Sequence, residues 1–221
     1  MNKVILVVFI FLNLTAAAQI DTEQLSLDIS KADAANTEQL KNFIWKRYST
    51  VIVNSEPKLN TVTEFSFDET GKLVTKLIDS ETTVKQKPGI RGQIQQNAAE
   101  ENMDYVQKAL ELSMAYTFMS KGQLLDFFSK ATVTEKDGII EATAKDIYVK
   151  GDMLTIRVES STKLFLQKKF SSLLENDPVS GEINYAKFSS GVSHGSTTVL
   201  NLPSKKAVIN AENKDYSQRV K

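Results

Sequence analysis

Gly191-Val192-Ser193-His194-Gly195 fits G-x-S-x-G, the spacing with which serine hydrolases present a nucleophile. His194 is the single histidine of the chain, so a serine and a would-be base lie side by side. An elbow of this kind needs a strand that runs into a helix, with the serine lifted on the sharp turn between them. Here "EINYAKF" before the pentapeptide reads as strand, and "STTVLNLP" after it is β-branched, runs into Pro203 and reads as strand too. The base of a triad must also reach the serine oxygen from elsewhere in the fold, whereas adjacent side chains on a strand point to opposite faces. The spacing is expected to mark a hairpin loop whose glycines supply turn geometry, with a hydrolase the less favoured reading.

Two other groupings could do chemistry. "KQKPGIRGQIQQ" sets Gly89 and Gly92 among Lys85, Lys87 and Arg91 ahead of a helix, where free backbone N–H groups can hold an anion. Neither G-x-G-x-x-G nor G-x-x-x-x-G-K-[ST] is present, so a turn into the helix is the simpler role. Glu100, Glu101 and Asp104 cluster on that helix, as a solvated face does. The chain has no cysteine and no D-x-D-x-D-G loop, which removes thiol chemistry, disulfides, zinc–cysteine centres and an EF-hand calcium site. No cofactor and no metal are expected.

The elements that must position any site begin after a leader. "MNKVILVVFIFLNLTAAAQ" has one positive charge, a short apolar run and small residues at an A-x-A position, the layout of a signal peptide cleaved after Ala18. Its apolar run is about 11 residues, short of the ~20 needed to span a bilayer. Residues 19–221 are expected to form one α+β domain with no membrane span, in the periplasm or outside the cell. The 27 basic and 27 acidic residues balance, so there is no basic footprint for nucleic acid.

Asn36-Thr37-Glu38-Gln39 resembles a capping box, and Leu40, Phe43, Ile44 and Tyr48 follow at helical spacing, which predicts a helix over 37–48, preceded by a weaker one over 22–35. "STVIVNSE", "TVTEFSF" and "LVTKLI" then read as strands, with a hairpin at "DETGK" where Gly71 takes positive φ. A long helix runs from Ile94 to Phe118, and Ser120 to Gln123 caps a short apolar one. After Ala131 six segments alternate with turn chemistry, including "NDPVSG" and "PSKK"; from Leu154 to Val158 the alternation is strict. The expected architecture is N-terminal and central helices packed on a curved antiparallel sheet, an unclosed barrel.

Taken together, "FIWKRY", "FSFDETGKL", "GIRG", "YVKGDMLTIRVESSTKL" and "INAENKDY" resemble a family of uncharacterised exported bacterial proteins. In architecture the chain is also similar to the periplasmic lipoprotein-carrier fold, a half-barrel with helices lidding its concave face. That resemblance implies a cavity for an acyl chain, and brings no catalytic residues. The aromatic side chains expected to line such a cavity are Trp45, Tyr48, Tyr116, Phe118, Phe127 and Phe128. The corresponding function is a non-catalytic exported carrier for a lipid or lipidated protein. The alternative is a protein–protein interaction domain with a filled core and an envelope partner.

Overall fold

The structure is a computed structural model and describes residues 20–82 and 90–219, with the side chains of 90–103 left aside. The expected leader and the segment 85–89 lie outside the described residues, as do the side chains of Glu100 and Glu101. Among the described residues three α-helices, α1 (Thr22–Leu40), α2 (Ile90–Thr117) and α3 (Lys121–Lys130), accompany ten strands. Before α2 come β1 (Phe43–Val53), β2 (Glu56–Phe67) and β3 (Leu73–Thr82). After α3 come β4 (Thr132–Lys136), β5 (Ile139–Lys145), β6 (Met153–Glu159), β7 (Phe165–Leu174), β8 (Asp177–Lys187), β9 (Ser193–Leu202) and β10 (Ala207–Gln218). All pairings are antiparallel, in the order β3-β2-β1-β10-β9-β8-β7-β6-β5-β4. Among the described residues the sheet does not close, and β3 and β4 are its outermost strands. The fold is an α+β half-barrel. Among the described residues no helix is long and apolar enough to cross a membrane.

The segment 37–48 departs from the helix read in the sequence. The first helix starts at Thr22, capped by the Asp21 carboxylate on the Gln24 N–H, and stops at Leu40. From Phe43 the chain is strand, because "FIWKRYSTVIV" is rich in aromatic and β-branched residues and finds a partner on each side, β2 and β10. Asn36 caps nothing; its amide is used across the fold, as described below. The "NDPVSG" turn is likewise shorter than expected. Glu175 and Asn176, both at positive φ, make the turn, and Pro178 to Gly181 already belong to β8. β4 adds a seventh strand to the six expected after Ala131.

Other local signals match their elements. Asn54 and Ser55 both take positive φ in the two-residue β1–β2 turn, and Gly71 does so at φ 80 in the β2–β3 turn. The Ser120–Gln123 capping box holds both its bonds. On β6, Leu154, Ile156 and Val158 are fully buried while alternate residues are not. The helices lie on this inner face, α1 against α3 and β9, α2 against β7 and β8, and α3 against β5.

Apolar burial falls into two clusters. The larger gathers Leu25 and Ile29 of α1, Tyr116 of α2, Phe127 and Phe128 of α3 and the inner residues of β5–β10. The smaller is built from Leu40, Trp45, Phe65, Phe67 and Val192, with Phe43, Leu73, Phe188 and Tyr216 packed on it.

Candidate functional site: a cleft where the sheet forks

Between β9 and β10 the ladder runs from Ala207–Leu202 to Glu212–Thr197 and then stops. Beyond that point β10 continues to Gln218 alongside β1 alone, and β9 runs back to Ser193 alongside β8 alone. Irregularities on both branches spread them. The β8–β9 register skips at Asn184–Tyr185, opposite Ser196, and the β1–β10 register skips at Ile44–Lys46, opposite Asp215 at φ 55. Side chains bridge the gap. The Gly195 carbonyl accepts from the Asn213 amide at 2.8 Å and the Tyr216 hydroxyl at 3.1 Å. The rings of Phe188, His194 and Tyr216 pack together through the fork with centroids 4.3 to 4.7 Å apart, His194 stacked on Phe188 and Tyr216 edge-on to Phe188.

A cleft of ≈ 320 Å³ opens over this fork, between the two apolar clusters. One wall is the second half of α1, where Asp33, Asn36, Thr37 and Leu40 recur at helical spacing. Trp45 and Arg47, two apart on β1, line the floor beside Phe67 and Leu73; Ile183 and Tyr185 face them, and Thr117 to Ser120, between α2 and α3, form the rim. Asn36 pins the α1 wall in place: its amide donates to the Ser193 carbonyl at 2.8 Å and accepts from the Ser193 N–H at 2.7 Å. The rim is fixed from below. Asp152, fully buried, accepts from the Tyr116 hydroxyl at 2.6 Å and from the backbone N–H groups of Ile147, Tyr148 and Val149. Burial pushes this carboxyl up, and the four bonds more than offset it, so that it sits below its ordinary value.

Three charges govern the electrostatics. Lys168, 1 % exposed, donates to the carbonyls of Tyr116 and Thr117 at the end of α2, at 3.3 and 2.8 Å, a cation at the negative end of a helix. Burial pulls its ammonium down to about 8, opposed by the charge of Asp33. Burial raises the Asp33 carboxyl, opposed in turn by Lys168. Arg47 is held by a bond from Nε to the Asn213 side-chain oxygen at 2.9 Å and lies 4.5 Å from the Phe65 ring centroid. Burial lowers it to about 10, so it stays cationic at neutral pH. The Trp45 ring stacks between Phe65 and Tyr216, and its buried Nε1–H has no hydrogen-bond partner among the described residues.

The structure distributes the six aromatic residues singled out in the sequence. Trp45 and Phe118 line the cleft, and Phe118 is 43 % exposed at its rim. Tyr116 is stacked on Phe170 at 4.1 Å inside the larger cluster, and Phe127 and Phe128 pack edge to face at 5.0 Å there. Tyr48 donates to Asp215 at an exposed position away from the cleft. Arg47, Asp33 and Asn36 carry the polar character of the cleft and were passed over in the sequence. The stripe Asp33–Asn36–Thr37–Leu40, continuing the inner face begun by Leu25 and Ile29, is the signal that could have found the α1 wall.

Ser193 is not on the hairpin tip. The turn is Phe188 to Val192, with Gly191 at φ 87, and Ser193 opens β9 in a buried position. His194 Nδ1 contacts the Gly195 carbonyl at 3.2 Å and its ring is stacked on Phe188; no hydrogen bond among the described residues joins it to Ser193. Burial lowers the His194 pKa, partly offset by Gly195. No group of three or more His, Asp or Glu side chains converges on a metal position among the described residues.

No family model and no curated protein matches the chain. Among solved structures it is similar to a DUF1329 family protein from Desulfovibrio piger, with a TM-score of 0.46 and 11 % identity over 91 % of this chain and 95 % of that one. It is also similar to a LolA superfamily protein from Nitrosomonas europaea, with a TM-score of 0.39 and 8 % identity over 85 % and 94 % of the two chains.

Proposed function

We propose that the chain is an exported, non-catalytic binding or carrier protein whose forked-sheet cleft takes a small apolar ligand or the end of an acyl chain. The observation that carries this reading is the cleft itself, open between two separate apolar clusters with Leu40, Trp45, Phe67, Leu73, Phe118 and Met119 on its walls. Its volume of ≈ 320 Å³ falls at the small end of ligand sites, which run from roughly 300 to 1,000 Å³. A half-exposed phenylalanine at the rim is what an apolar entrance requires. The leader sequence is the ground for placing the protein in the periplasm or outside the cell.

Trp45 is the single tryptophan of the chain, so its fluorescence reports on the cleft directly. Titration with decanol should give a saturable change in Trp45 emission, weakened by Phe118→Ala and by Leu73→Asp. An unsaturable response, together with no lipid in native mass spectra of detergent-free protein, would overturn the reading. The second reading, a docking domain for an envelope protein, is favoured by one feature. The outermost strand β3 exposes Val74, Leu77 and Ile78, and Leu77 is 61 % exposed. A stoichiometric protein partner lost on charging Leu77 and Ile78 would support it.

A further inference from the structure

We infer that the cleft selects a single-tailed amphiphile with an anionic oxygen head, seated on Arg47, with its tail toward Phe67, Leu73 and Phe118. This rests on the carrier reading and adds the class and orientation of the ligand. Trp45 and Arg47 are two residues apart on one strand, so both side chains face the cleft. The buried Trp45 Nε1–H has no partner, and Arg47 uses Nε on Asn213 while making no ion pair among the described residues. A guanidinium that lines an open, largely apolar cleft with no anionic partner marks where an anion belongs.

The charges point the same way. Asp33 is the one carboxylate on the described cleft wall, and its Coulombic partner is Lys168, whereas no carboxylate among the described residues acts on Arg47. His194, in an environment that disfavours its protonated form, adds no positive charge at neutral pH. Asp33 and Lys168 offset one another and Arg47 leaves the cleft one positive charge in excess. A planar guanidinium fixed at Nε and packed on Phe65 keeps its outer nitrogens oriented for a carboxylate or phosphate edge. The apolar residues begin directly beside it.

The test compares decanoate, decanol and decyltrimethylammonium on the full mature chain, followed by Trp45 emission and by calorimetry at neutral pH. Decanoate should bind about tenfold or more tightly than decanol, as a charge-assisted bond predicts. Arg47→Gln should abolish that difference. Equal binding of decanoate and decanol by the unaltered protein, or a preference for the cationic amphiphile, overturns the inference and leaves the carrier reading standing. Failure of all three to bind removes both. The ligand comparison on the unaltered protein decides the matter even where Arg47→Gln does not fold.

Discussion

Replacing Lys168 by methionine should remove a rise of stability with pH that the unaltered protein shows above neutrality. In the folded protein burial pulls this ammonium from 10.5 to about 8, against the opposing pull of Asp33. The folded chain then releases its proton earlier than the unfolded chain. Between pH 8 and 10.5 the unfolded state binds more protons, and stability must rise with pH across that window. The full interval corresponds to about 3 kcal/mol, of which about 1 kcal/mol accrues between pH 7 and 9. Tyr148, raised to about 12 by burial and by Asp152, acts with the opposite sign but only above pH 10, where the unfolded chain loses its phenolic proton first. Urea unfolding at pH 7 and 9, followed by circular dichroism, isolates the contribution as the difference between the two proteins. The unaltered chain should gain about 1 kcal/mol relative to Lys168→Met over those two pH units. Methionine also forfeits the bonds to the Tyr116 and Thr117 carbonyls, which lowers the variant at both pH values and leaves the difference untouched. Parallel pH dependences would refute the argument, because they would show Lys168 as hydrated as a surface lysine.

Asp152→Asn should cost about 2–3 kcal/mol, since an amide cannot accept from the four donors that converge there. Because the folded carboxyl titrates below its ordinary value, its contribution is fully present at neutral pH and is lost as pH falls from the ordinary carboxylate range through the folded value; acid titrations of stability should be flatter in the variant. Gly181→Ala would set a Cβ 2.2 and 2.5 Å from two Phe170 ring carbons and 2.8 Å from Leu200. Phe170 is itself stacked on Tyr116 and cannot withdraw, so a loss of about 1–3 kcal/mol is expected, read as a fall of about 5 °C in the thermal midpoint. Asn36→Ala should cost about 2 kcal/mol and speed amide exchange in the second half of α1 more than in the first.

Elements whose cause is local were legible. The capping box at Ser120, the Gly71 turn and the alternation from Leu154 to Val158 each act within a few residues, and each lies where its residue types put it. The first strand was not, because what makes it a strand is β10, more than 150 residues away. Read alone, Leu40, Phe43, Ile44 and Tyr48 keep a helical interval, and Asn36 resembles a cap; tertiary pairing overrides both. The half-barrel class survives that error because the later meander carries it. The site fared differently. Trp45 and Phe118, singled out by residue type, lie on the cleft, while Arg47 was hidden inside a segment assigned the wrong period. Tyr116, Phe127 and Phe128 have the same chemistry as cleft residues, and only packing separates a ring that walls a space from a ring that fills one.

In the strand order β10 is the sole link between the three-stranded block β3-β2-β1 and the six strands β9 to β4. Those two blocks are synthesised on opposite sides of α2 and α3, and the strand that welds them is the last of the ten to be made. Until it is available, β1 has one open edge and β9 another, and the floor of the cleft does not exist. The topology thereby delays completion of the sheet until the other nine strands have been made, and contacts of such long sequence separation are slow to close. The same arrangement makes the segment after Lys206 the place where a truncation would divide one sheet into two.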